Sequence, residues 1–162
     1  MSRPTLILAA AGGSLALLLG AFAFQAMGYA PCQLCLWQRW PHGAAVLIGA
    51  TALVSRQGWL AWLGAAAALS TAFIGVFHVG VEQHLWEGLA SCTANALAGV
   101  SAGDLLSTDT TVGAPVRCDQ VAWSLFGISM AGYNVLFSVG LAGLWAKAAR
   151  SPARSLHSGP IV

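Results

Sequence analysis

The sequence predicts an all-α membrane protein, a bundle of four transmembrane helices with a long second outer loop. Three observations carry this reading. First, 57% of the 162 residues are hydrophobic and only 7% are charged, where a soluble domain carries about 25% charged residues. Second, four apolar stretches recur, and a helix of about 20 apolar residues crosses the hydrocarbon core of a bilayer. Third, the basic and acidic residues sort to opposite sides of those stretches. The net charge of +2 is small and no basic run points to nucleic acid.

The chain reads as a single membrane domain over 1–162, with spans at about 6–24, 35–54, 59–81 and 123–146. Leu6 to Phe24 holds 19 residues without a charge. AFA and FQA near its end offer small-residue cleavage sites, but the run exceeds the 7–15 residues of a signal peptide and only Arg3 leads it, so it is read as a span. The second stretch, Gly43 to Val54, has only 12 uninterrupted apolar residues. Its helix must therefore begin near Cys35 or before, drawing Trp37, Arg39 and Trp40 into the first turns. Trp59 to Val81 is broken only by Ser70, Thr71 and His78. The fourth span is expected from about Trp123. Between the last two lies the polar segment 82–122, read as loop with short surface helices at 86–98 and 102–107. The tail from about 148 is read as disordered.

Four spans put the termini on the same side as the short turn at Ser55–Gly58. That side holds Arg3, Arg56, Lys147, Arg150 and Arg154; the other holds Arg39, Arg117 and all five acids. The positive-inside rule then places both termini in the cytoplasm. Cys32, Cys35, Cys92 and Cys118 fall on or beside the outer face, where disulfides persist. Four cysteines allow three pairings; two local pairs, Cys32 with Cys35 and Cys92 with Cys118, are the economical assignment.

The stretch PCQLCLWQRWPH at 31–42 carries the chemistry. Pro31 suits the first position of a helix, which sets both thiols where the helix dipole favours a thiolate. Arg39 shares their helical face at spacings of four and seven, and its permanent charge favours a thiolate further. A guanidinium at this depth calls for an anionic partner unless it snorkels to the interface. Other readings of the pair are weaker. Structural zinc commonly uses two such pairs, and Cys92 and Cys118 lie too far apart for one, so no metal is expected. Covalent haem needs a histidine where Leu36 stands, and a thioredoxin-like site needs a βαβ context. A structural disulfide across so short a loop gains little entropy. Closing Cys92 to Cys118 stabilises an outer segment by about 3 kcal/mol in the chain-entropy estimate, the bland role for that pair. Both pairs together form a relay: thiolates exchange through mixed disulfides, and a relay that ends in lipid wants a lipid-soluble acceptor, a quinone. His78 reads as a packed or hydrogen-bonded histidine, and His42 shares the face of Arg39.

PCQLCLWQR resembles the proline–CxLC–two residues–Gln/Glu–Arg signature of the disulfide bond formation protein B (DsbB) family of bacterial inner membranes. The resemblance extends to four spans, a thiol pair entering the second, a cysteine pair in the long periplasmic loop and an aromatic start to the last, WSLFGISMAGYN. It implies a quinone-dependent thiol oxidase of the inner membrane that reoxidises a periplasmic thioredoxin-fold partner (DsbA-like), with ubiquinone or menaquinone as electron acceptor. Carried over, Cys92 receives the partner's thiolate, Cys118 passes the exchange to Cys32, and Cys35 faces the quinone beside Arg39. The family's quinone-site histidine falls near Gln83 by the AF-x-GV anchor at Ala72–Val76, and His84, one residue on, is the candidate. Two other readings compete. Vitamin K epoxide reductase-like enzymes share the relay but reverse the order of the two pairs. A non-catalytic tetraspan module with two structural disulfides requires inert cysteines and no dependence on Arg39.

Overall fold

The computed structural model describes residues 1–89 and 116–152. Among these, the chain forms helices α1 (Arg3–Ala26), α2 (Gln33–Ser55), α3 (Leu60–Glu82) and α4 (Met130–Arg150), with a two-stranded ribbon, β1 (Ser124–Leu125) and β2 (Ile128–Ser129), leading into α4. At 1.5 Å per residue each helix is about 31–36 Å long. The helices pack as a four-sided ring, α1 against α2 and α4, and α3 against α2 and α4, with α1 and α3 on a diagonal. By length and composition, α1 and α3 are apolar enough to cross a membrane.

Each helix starts and stops for a local reason. Ser2 caps α1 by accepting from the Thr5 N–H, and Ser129 caps α4 by accepting from the Gly132 N–H, the role these hydroxyls suit best. Helix α2 begins at Gln33, with the sulfur of Cys32 as its cap, so Pro31 stands before the cap instead of inside the helix. At the far end Arg3 clasps α4: its Nε donates to the Ala148 carbonyl at 3.2 Å and its Nη2 to that of Ser151. That contact ties the first helix to the last.

Helix α4 differs from expectation. Its start lies at Met130 and not at about Trp123, because residues 124–129 form a hairpin with Ser124 opposite Ser129 and Leu125 opposite Ile128. Both turn residues, Phe126 (φ 51°) and Gly127 (φ 77°), are left-handed, the requirement of a tight two-residue hairpin. The expected surface helices at 86–98 and 102–107 fall almost wholly outside the described residues, as does Cys92. Residues 86–89 are not helical.

Small residues let the helices close. The buried lower half contains Leu6, Ala10, Ala11, Ala52, Ala61, Ala65, Ala68 and Ala142 around Trp145, which is fully buried. The Trp145 indole lies flat on Gly64, where any Cβ would overlap it. Large apolar side chains face outward instead: Leu47 is 70% exposed and Phe73 72%. A bundle with aliphatic and aromatic residues outside and small or polar ones inside matches a lipid surround, in which small residues make the helix contacts.

Candidate functional site

In the upper half of the bundle the interior turns polar. Gln38 and His42 come from α2, Thr71 and His78 from α3, and Asn134 and Ser138 from α4. Within each helix they are four or seven apart and therefore share one inward face. Asn134 Nδ2 donates to Gln38 Oε1 at 2.7 Å and to Thr71 Oγ1 at 3.1 Å, while Thr71 Oγ1 donates to the Gln38 carbonyl at 3.1 Å. These acceptors fix the Asn134 amide, so its Oδ1 faces His42 Nε2 at 2.8 Å and His42 must donate there. Gln38 is fixed in the same way. Its Nε2 donates to the Leu34 carbonyl and to His78 Nδ1, at 3.3 and 2.9 Å. His78 then carries its proton on Nε2, and one network of amides sets the tautomers of both histidines.

That proton faces the thiol pair. His78 Nε2 lies 3.5 Å from Cys32 Sγ and 3.8 Å from Glu82 Oε1. The Cys35 backbone N–H also donates to Cys32 Sγ, at 3.2 Å. The Cys35 N–H and the His78 ring thus both meet the Cys32 sulfur. Cys32 and Cys35 are free thiols with their sulfurs 2.7 Å apart. Cys118 is disulfide-bonded, fully buried, and packed in one cluster with Cys32, Leu34 and Val81. His78 hydrogen-bonds to the Cys118 backbone as well. The ring therefore touches both cysteine-bearing segments. Ser129 donates to Glu82 Oε2 at 2.5 Å, joining the cap of α4 to this assembly. Beside Cys118, the Arg117 guanidinium bonds both oxygens of Asp119 and holds that carboxyl below its ordinary pKa.

A cavity of about 400 Å³ opens beside the pair, lined by Cys32, Cys35, Gln38, Arg39, His42, His78, Glu82 and Asn134 on one side. Leu17, Phe24, Tyr29, Trp123 and Met130 supply its apolar wall, with the Phe24 ring meeting those of Tyr29 and Trp123 edge-on, 5.6 and 5.1 Å between centroids. Arg39 stands at this cavity with Nη1 on Gln25 Oε1 at 2.7 Å, Nη2 on the Ala21 carbonyl at 3.3 Å, and Cζ 4.8 Å from the Phe22 ring centre. Its Nε is buried without a partner, and so is His42 Nδ1. A mostly apolar volume of this size with a few convergent polar atoms suits a drug-sized or cofactor-sized ring.

The sequence-derived candidates therefore separate. Cys32, Cys35 and Arg39 meet at one cavity, and Cys118 packs against Cys32. His84 lines a different depression, with Trp86, Glu87 and Asp119. The cause is the end of α3. His84 N bonds the Val81 carbonyl and Leu85 N that of Gly80, with His84 left-handed at φ 55°, the Schellman termination of a helix. That turn swings His84 off the inner face and lays Trp86 on Gly80, its Nε1 donating to the Phe77 carbonyl at 3.0 Å. Cys32, Cys35 and His78 also hold three ligand atoms within 4.8 Å of one another, one short of the closed tetrahedral set of structural zinc.

Comparison with known proteins agrees with this chemistry. An uncharacterized protein of Rickettsia prowazekii (strain Madrid E) is 27% identical over 114 residues, which cover 68% of this chain and 66% of that protein. No solved structure matches the chain. The model of the family described as Disulfide bond formation protein DsbB matches residues 3–148, nearly the whole length, and the chain belongs to that family of helical membrane proteins.

Proposed function

We propose that this protein reoxidises a DsbA-like dithiol protein of the bacterial periplasm and passes the electrons to ubiquinone or menaquinone in the inner membrane. The observation that carries this reading is the shared cavity. Cys35 and Arg39 line it together, against an aromatic wall. When bound there, a quinone supplies an acceptor for two electrons and two protons.

The chain's own residues divide the work. On this reading the outer disulfide joins Cys118, which is disulfide-bonded, to Cys92, and the partner's thiolate attacks it at Cys92. Two electrons and two protons leave the partner, whose own disulfide closes as the outer pair opens to thiols. Closure of Cys32 to Cys35 then gives two electrons and two protons to the acceptor, and the Cys118 thiolate attacks Cys32 of that new disulfide with Cys35 as the leaving group, for which the common buried cluster of Cys118 and Cys32 is the support. Cys92 next displaces Cys32 from Cys118, so the outer disulfide re-forms and Cys32 and Cys35 return as thiols. His78 Nε2 and the Cys35 N–H hold the Cys32 sulfur in place for this exchange. Arg39 orients the acceptor in the cavity, and the apolar wall excludes water. The four spans, the cytoplasmic termini and the periplasmic placement of the cysteines belong to the same proposal, supported by the inside-out packing of the bundle and the sorting of charges.

The test is anaerobic. Fully reduced protein in detergent, given a short-chain ubiquinone, is expected to form two equivalents of quinol per chain as both disulfides return. Absence of quinol with the thiols still reduced would overturn the proposal in favour of a non-catalytic module.

A further inference from the structure

We infer that the reduced protein binds a thiophilic, tetrahedral dication of the zinc type, held by Cys32 and Cys35 of α2 with His78 and Glu82 of α3. Only the thiol form is involved, so the site does not depend on the quinone reading. Spacing along the sequence argues against zinc, because Cys92 and Cys118 lie too far apart to form a second pair. Folding supplies what spacing cannot show, a histidine from the neighbouring helix. Cys32 Sγ, Cys35 Sγ and a His78 ring nitrogen all lie within 4.8 Å of one another, and Glu82 is close enough to Cys35 for their charges to interact.

Zinc bonds of about 2.3 Å to sulfur and about 2.0–2.1 Å to nitrogen or oxygen fix the edges of the tetrahedron. Those edges are about 3.8 Å between two sulfurs, about 3.5 Å from sulfur to nitrogen and about 3.4 Å from nitrogen to oxygen. Cys32 Sγ stands 3.5 Å from His78 Nε2, which stands 3.8 Å from Glu82 Oε1. The sulfurs, at 2.7 Å, must part by about 1 Å, which rotation of the half-buried Cys35 side chain provides. Glu82 lies outside the close trio; turning its side chain brings Oε1 to the fourth corner. Outer hydrogen bonds, which orient metal ligands, are in place: the Cys35 N–H on Cys32 Sγ, Ser129 on Glu82 Oε2 and Gln38 on His78 Nδ1. The last must adjust. Coordination takes the Nε2 lone pair, so the ring proton moves to Nδ1 and Gln38 turns its amide to offer Oε1. All four residues line the cavity, which gives the ion its entry path. Two protons leave the thiols as the ion binds. Two thiolates and a carboxylate then exceed the dication by one negative charge, which Arg39 at the same cavity offsets. With both sulfurs bound to the ion, neither is free for exchange.

Two measurements test the site. In the first, the unaltered chain is fully reduced with a phosphine in detergent, given one equivalent of zinc chloride, and examined by zinc-edge X-ray absorption. Two sulfurs at about 2.3 Å and two nitrogen or oxygen ligands at about 2.0 Å are expected, with the outer scattering of one imidazole. A set of four sulfurs, a set without imidazole, or zinc left in solution would overturn the inference. In the second, zinc affinity is measured by competition with a chromophoric chelator in the Cys92→Ser, Cys118→Ser chain, where Cys32 and Cys35 are the remaining thiols. His78→Gln and Glu82→Gln in that chain should each weaken binding by about tenfold or more. Unchanged affinity in either would show a bare dithiol site and would overturn the four-residue assignment.

Discussion

Asn134 holds the polar interior through a single amide. It donates to Gln38 and Thr71, accepts from His42, and receives a longer bond from Ser138. Asn134→Leu leaves at least two of these partners buried and unsatisfied, each costing about 1–3 kcal/mol. The unfolding midpoint in mixed detergent should fall clearly, and an unchanged midpoint would show that the network is not structural. Arg39 calls for a different readout. Arg39→Lys keeps the charge but lacks the Nε–H and the planar fork. The KM for quinone should rise about tenfold in Arg39→Lys and further in Arg39→Ala, the loss of a charged hydrogen bond worth about 1.5–3 kcal/mol. Thiol exchange with the partner should change little; equal losses on both sides would make Arg39 structural. The thiols and Arg39 were readable from the sequence because a CxxC followed four residues later by arginine defines a helical face. Gln38, Thr71 and Asn134 were not, because they come from three different helices and only packing shows that the three meet. The available signal was their spacing: polar residues at 38 and 42, 71 and 78, and 134 and 138 each mark an inward face, where polar groups in lipid-exposed helices belong.

At the scale of elements, close approach is set by glycine. Gly64 lies under the Trp145 indole, so Gly64→Val must push α3 and α4 apart across their longest contact. Overpacking of this kind costs about 1–3 kcal/mol, and the variant should melt earlier while keeping its helical circular dichroism. Wild-type stability would mean that α3 and α4 pack elsewhere. The first three helices were readable to within a few residues, since apolar length and caps agree there. The start of α4 was not. The run WSLFGISM is apolar enough to continue a span, and its hairpin depends on two consecutive left-handed residues, of which only Gly127 announces itself. Ser129 was the available start signal, a hydroxyl one residue before the helix. His84 missed the cavity for a related reason: sequence counting extended the face of α3 past Glu82, but the helix terminates there in a left-handed turn.

Over the whole molecule, the proposed relay sets two sulfur couples at one end of a bundle whose large apolar side chains face outward. Sidedness is open to direct measurement. In intact spheroplasts of the reduced state, a membrane-impermeant maleimide should label Cys92 from outside, and labelling only after lysis would reverse the orientation. The central claim is that electrons cross between Cys118 and Cys32, and it is tested most directly in the Cys35→Ser, Cys92→Ser double variant, where those two are the remaining thiols. Mild oxidation followed by peptide mass spectrometry should find them joined within one chain in nearly all molecules. Two free thiols in a protein that remains folded would contradict the relay.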